Sequence, residues 1–191
     1  NDSGAVALTG AGADGLYSGV TKLSVINSES IGTLAGHVLS EAEIAAGQTL
    51  TITGGNSTMN GLITGSGNLS RTVSGATAGT LTTSGKNTYT GVTTIGSVGA
   101  ATASAGISIT HLADGGIASG IGASSNAASN LVFSASGTNG GVLTWTGLTN
   151  QSTDRLFTVG EGTRGAEIGA SGTIVGTTTP TMTWSNTGAL S

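Results

Sequence analysis

Cysteine is absent from this 191-residue chain, which excludes a disulfide framework and thiolate metal sites. It does not exclude export, since a chain that crosses membranes unfolded gains from having nothing to cross-link. Charge is scarce: five basic and nine acidic residues give a net charge of −4. The basic residues are spread along the chain and leave no footprint for nucleic acid. Aromatics number six, two each of Phe, Trp and Tyr, and there is one Pro. No run of 18 apolar residues exists, so no segment crosses a bilayer as a helix. The chain begins at Asn1 without Met or a signal-like apolar run, which reads as a processed or trimmed N-terminus.

What the chain has is glycine, 35 residues of it, with abundant Thr, Ser and Ala. Gly costs up to ~1 kcal/mol per helical position relative to Ala, and Thr, Ser and Asn also disfavour helix. The strongest helical candidate is Ser40–Ala46, where Ser40 and Glu43 have capping-box spacing and Gly47 would end it after two turns. At most one short helix or turn is expected there. Mean hydropathy is +0.21. Low charge argues against disorder, which is sustained by high net charge and few apolar residues. It also leaves little electrostatic protection against self-association.

Short alternating runs recur between Gly and Asn breakers. Val6/Leu8, Leu23/Val25, Leu50/Ile52 and Ile107/Ile109 each set two apolar residues on one strand face. Leu131/Phe133, Leu143/Trp145, Phe157/Val159 and Met182/Trp184 repeat the pattern with larger side chains. The breakers include Thr53–Asn56, Ser84–Asn87, Asp114–Gly116 and Gly137–Gly141. A sandwich wants strands of about five to six residues and a fuller core layer. These strands are shorter and their inward positions thin, which a β-solenoid tolerates because hydrogen bonds between rungs supply much of the cohesion. The reading is all-β: a parallel β-helix over 1–191, with rungs of about 20–25 residues. Roughly eight rungs at ~4.8 Å would make a rod on the order of 40 Å long. The small-residue stretch 96–106 is either a linker or, as favoured here, a loop within one continuous solenoid. The pattern after Thr181–Trp184 stops midway, as though another chain completes it or the chain is part of a longer protein.

The segments Leu62–Leu69 and Gly79–Ile95 carry a family likeness, densest at Ser84-Gly-Lys-Asn-Thr-Tyr-Thr-Gly91. They resemble the autotransporter-associated β-strand repeat of large bacterial surface proteins. Thr83 stands where that repeat usually has Leu, and Val73–Gly79 is an extra stretch. A looser likeness runs through His111–Gly116, Ile121–Ala127, Leu131–Phe133 and Ser152–Phe157. The resemblance implies a right-handed parallel β-helix, export through a Gram-negative type of envelope, and a place at the cell surface. It implies no activity.

No constellation of residues carries chemistry. Gly10–Gly15 fits G-x-G-x-x-G after a strand, but Leu16–Thr21 cannot supply the helix a dinucleotide needs. Thr9–Tyr17 nearly fits the calcium-binding nonapeptide, yet such sites share each ion between copies and only one is present. His37 and His111 have no ligand partners at metal spacing. The acids Asp2, Asp14, Glu29, Glu41, Glu43, Asp114, Asp154, Glu161 and Glu167 show no paired arrangement. Glu41/Glu43 and Asp154/Arg155 come nearest, and each reads as a solvated turn or an ion pair. No G-x-S-x-G elbow accompanies the serines. The sequence therefore points to a non-enzymatic surface or adhesive protein, with no catalytic, cofactor or metal residues. A self-assembling subunit of an extracellular fibre or biofilm matrix is the alternative. A carbohydrate-active β-helix enzyme is disfavoured by the arrangement of acids. Expected partners are the rest of a longer chain or a second copy, end to end, and a host-surface or matrix glycan.

Overall fold

The computed structural model describes residues 4–9, 20–99, 101–135, 139–160, 165–172, 174, 176 and 178–188. The described residues contain 18 strands, one 3-10 turn at Ala128–Asn130 and no α-helix. The chain makes repeated circuits. The first three each hold three strands: β1 (Ala5–Leu8), β2 (Thr21–Val25) and β3 (Glu29–Ile31), then β4 (Thr33–Gly36), β5 (Ser40–Ile44) and β6 (Thr49–Ile52), then β7 (Ser57–Met59), β8 (Leu62–Gly65) and β9 (Asn68–Val73). The next two hold two each, β10 (Gly79–Thr83) with β11 (Thr93–Ser97), and β12 (Ala105–Ile109) with β13 (Leu131–Ala135). Then come β14 (Gly141–Trp145), β15 (Gln151–Thr153) and β16 (Thr158–Val159), and finally β17 (Glu167–Ala170) and β18 (Met182–Trp184).

Every strand pairs with its counterpart one circuit away, always parallel. A seven-stranded sheet runs β1-β4-β7-β10-β12-β14-β17 and a six-stranded one β3-β6-β9-β11-β13-β16. A third position is filled by β2-β5-β8 and again by β15-β18. Long parallel sheets visited in rotation are consistent with a β-solenoid and exclude the facing antiparallel layers of a sandwich. The spacing between circuits is less even than expected. Partners lie 23 residues apart from Ala35 to Thr58, 28 from Ala5 to Thr33 and 36 from Ala105 to Gly141. The longest sheet accordingly has seven strands, spanning roughly 30 Å at the standard interstrand spacing. Both long sheets continue across 96–106: β10 pairs with β12 and β11 with β13. Ala101 and Ala103 of that stretch are buried.

The alternation in sequence becomes rows of side chains inside. On the seven-stranded sheet Met59, Thr83, Ile109 and Trp145 stand in register. On the six-stranded sheet Ile52, Arg71, Ile95 and Phe133 do the same, beside Leu50, Leu69, Thr93 and Leu131. All these residues are buried. Phe133, Phe157 and Trp184 continue edge to face toward the last circuit, with ring centroids 5.5 and 5.6 Å apart. The helical expectation at Ser40–Ala46 fails. Ala42 and Ile44 point inward, while Glu41 and Glu43 point outward, which is the period of a strand. Pairing β5 on both sides with β2 and β8 overrides the capping-box signal.

The stretch that carries the family likeness forms the corner of the fourth circuit. Asn87 is fully buried and takes the place of a strand: its Oδ1 accepts from the Ile63 N–H (2.9 Å) and its Nδ2 donates to the Gly120 carbonyl (2.9 Å). Tyr89 is buried with its hydroxyl 2.7 Å from Thr93 Oγ1. Burial raises the Tyr89 pKa well above its ordinary value. Thr83, polar where the repeat has Leu, satisfies its hydroxyl on the same Gly120 carbonyl at 3.1 Å. Gly91 lies against the previous circuit, where a Cβ would run into the Gly67 carbonyl oxygen. Gly65, at φ +95°, makes the equivalent close turn over Ile44.

Candidate functional site

The outward rows of the long sheet are small and nearly free of charge. Ala35, Thr58, Thr82, Ser108, Thr144 and Gly169 follow one another across successive strands. The result is a hydroxyl-rich face whose side chains repeat at the interstrand spacing of about 4.8 Å. The third sheet has a different exterior. Lys22 on β2 lies 3.5 Å from Glu41 and 2.9 Å from Glu43 on β5, and Glu41 accepts from Thr64 Oγ1 on β8 (2.7 Å). The hydrogen bond to Glu43 chiefly raises the Lys22 pKa. This exposed cluster borders a depression of about 340 Å³ lined by Val20, Val38, Leu39 and Leu62. Those four aliphatics are exposed, from 40% at Leu62 to 68% at Val38.

Of the two nearest approaches to a pair in the sequence, Glu41/Glu43 is thus a lysine-bridged surface cluster across two circuits. Asp154/Arg155 is not an ion pair. Arg155 turns inward and is buried. Its guanidinium donates to the carbonyls of Ala113, Asp114, Ile117 and Gly122 and to Ser124 Oγ. Burial lowers its pKa. Asp154 stays at the surface, its two oxygens accepting from the Gly115 N–H (2.7 Å) and Asn126 Nδ2 (2.9 Å). The Gly115 bond is the main reason its pKa lies below the ordinary carboxylate value. Asp114 returns the contact, accepting from the Asp154 N–H at 2.9 Å. The structure therefore joins two acids that lie far apart in sequence. Their oxygens and Arg155 hold residues 110–126, the long excursion of the fifth circuit, against β15.

Arg71 is the second buried cation. It sits in the Ile52–Ile95 row and donates to the carbonyls of Ile52, Gly54, Gly55 and Thr72. Burial lowers its pKa to about 10. With its terminal nitrogens donating to backbone carbonyls, it serves as a turn staple. His37 accepts from the Leu39 N–H through Nδ1 (3.1 Å). His111 lies beside Thr110, its pKa lowered by burial and then by Lys86. Among the described residues no three His, Asp or Glu side chains gather as a metal site. Nor is any helix there long and apolar enough to cross a membrane. Asp2, Asp14, Glu161, all of Gly10–Gly15 and all of Thr9–Tyr17 except Thr9 lie outside the described residues. Sequence reasoning missed both interior arginines, since nothing local distinguishes Arg71 or Arg155 from a surface arginine.

One curated relative is an adhesin, BmaC autotransporter, of Brucella suis biovar 1 (strain 1330). It is 38% identical over 176 residues, covering 90% of this chain. The chain spans only 4% of that protein's length. No family model matches the chain. No solved structure matches it either.

Proposed function

We propose that this chain is a stretch of right-handed parallel β-helix from the exported passenger of a bacterial surface adhesin. Its role is to project and to bind, without catalysis. The observation that carries this reading is the 38% identity, maintained over 90% of the chain, to a protein named as an autotransporter adhesin. Three features agree with it: parallel circuits, the repeat-like corner at Ser84–Gly91, and a charge-poor hydroxyl-rich exterior. The continuous pairing across 96–106 favours one body over two domains. The acids that meet in space are engaged with Lys22 or with the 110–126 excursion, which argues against a glycosidase-like pair. The contact surface is the outer face of the sheets, and its partner a host-surface or matrix glycan.

The test is adhesion. Beads coated with the chain are expected to bind saturably to epithelial monolayers or glycan-coated surfaces, and soluble chain to compete. Binding no greater than that of beads carrying an unrelated acidic β-protein would refute the reading.

A second reading concerns end-to-end assembly. Strands β16, β17 and β18 each end their sheets, and Leu156, Phe157, Ile168, Met182 and Trp184 line a depression of about 480 Å³ there. Another circuit, from a longer chain or a second copy, would cover these edges. Sedimentation across a hundredfold concentration range distinguishes the two: growing polymers favour the second copy, and a constant monomer removes it.

A further inference from the structure

The seven-stranded sheet carries on its outer side a polar track that stacking assembles from distant segments. Thr58, Thr82, Ser108 and Thr144 hold the same outward register position on β7, β10, β12 and β14. Their hydroxyls take no hydrogen-bond partner among the described residues. Two residues further on, at the corner after each strand, stand Asn60, Ser84, Thr110 and Thr146. This second row is bonded from circuit to circuit. Ser84 Oγ donates to Asn60 Oδ1 (3.1 Å), Thr110 Oγ1 to the Ser84 carbonyl (3.3 Å) and Thr146 Oγ1 to the Ile109 carbonyl (3.2 Å). With their hydrogens committed to the circuit below, these three hydroxyls offer solvent only lone pairs. The rows lie about 7 Å apart and step along the rod at about 4.8 Å. At their head, Thr58 and Asn60 line a depression of about 330 Å³ together with Leu8, Ala35 and His37. Cations are missing from this face. Lys22 is bridged to Glu41 and Glu43 on the third sheet, Arg71 and Arg155 are buried, and Arg164 lies outside the described residues. The remaining one, Lys86, is exposed two residues past Ser84.

Taking the chain as the glycan-contacting passenger segment proposed above, we infer that this track and its depression bind a neutral polysaccharide, and not a sulfated, sialylated or uronate-bearing one. A carboxylate or sulfate group only accepts hydrogen bonds. It therefore finds nothing in the accepting row at Ser84, Thr110 and Thr146, and no cation there to offset the loss of its hydration. The hydroxyls of a neutral hexose chain both donate and accept. They donate to that row, and exchange bonds in either sense with Thr58, Thr82, Ser108 and Thr144. The depression is within the range of about 300–1,000 Å³ common for small-ligand sites. Its apolar members, Leu8 and Ala35, suit the C–H face of a sugar ring, and Thr58 and Asn60 suit its hydroxyls. The net charge of −4 adds repulsion against any polyanion at longer range.

The test is affinity electrophoresis of the chain through gels holding a mixed-linkage β-glucan, a galactomannan, hyaluronan or heparin. At least one of the two neutral polymers is expected to bind with a Kd at least tenfold below that for either polyanion. That Kd should change less than twofold between about 0.05 and about 0.5 M salt, because no ion pair is formed. The double variant T82V/T144V keeps side-chain shape on an outward face, so its urea midpoint should hold while neutral binding weakens at least tenfold. K86M should bind as the parent chain does, and so should T51V, altered on the outer side of the six-stranded sheet. Tighter binding to heparin or hyaluronan, loss of binding in K86M, or undiminished binding by T82V/T144V overturns the proposal. So does failure of both neutral polymers. If coated beads still adhere to cells in that last case, the adhesin reading stands and this inference alone falls; if they do not, both fall.

Discussion

Replacing Asn87 with Ala isolates the bond network at the corner that carries the family likeness. The Ile63 N–H loses its acceptor in a buried setting, and the Gly120 carbonyl loses one of two donors, retaining Thr83 Oγ1. An unsatisfied buried donor costs about 1–3 kcal/mol, and a lost net hydrogen bond about 0.5–1.5 kcal/mol. N87A is therefore expected to destabilise by about 2–4 kcal/mol, a large share of the ~5–15 kcal/mol typical of a domain. T83V alone strips only the hydroxyl and is expected to cost at most about 1 kcal/mol, because Asn87 still serves Gly120. Together they leave that carbonyl bare, so the double variant should exceed the sum of the singles by about 1 kcal/mol. Urea melts measure the cycle, and amide exchange at Ile63 supplies a local readout, expected to quicken in N87A and not in T83V. A cost below about 0.5 kcal/mol for N87A, or strict additivity, would refute the assignment of Asn87 as a strand substitute.

Gly91→Ala should be among the most damaging single-methyl additions, because the new Cβ meets the Gly67 carbonyl rather than a yielding side chain; a loss of about 1–3 kcal/mol or more is expected in the same melts. Lys22→Met should leave the urea midpoint almost unchanged, its ion pairs being solvent-exposed and screened by salt. The depressed pKa of Asp154 gives a signed pH effect. The folded state binds its proton less readily, so the stabilisation is present above the unfolded carboxylate pKa of about 3.9 and is lost as pH falls through the folded value. Amide exchange at Gly115 should therefore accelerate at the acid end, and D154N should remove that dependence.

Much of the fold was written in local pattern. Pairs such as Leu50/Ile52, Ile107/Ile109 and Leu143/Trp145 are two residues apart with small polar residues between, and a strand with one buried face follows from that period alone. The two glycines and the asparagine of Ser84–Gly91 likewise mark a tight corner, whatever lies beneath it. Composition determined that helix would be rare and that no thiolate chemistry takes place. What the sequence did not disclose depends on which residue lies one circuit below. Ser40–Ala46 has a respectable helix start and became a strand because two parallel neighbours were waiting for its backbone. Arg71 and Arg155 went inside because turns of earlier circuits offered each a ring of carbonyls, and Asp114 met Asp154 across an excursion of variable length. Register between circuits is set by loop lengths that carry no periodic signal. The chain alone therefore specified strands and corners, while stacking decided which polar groups became structure and which stayed on the surface.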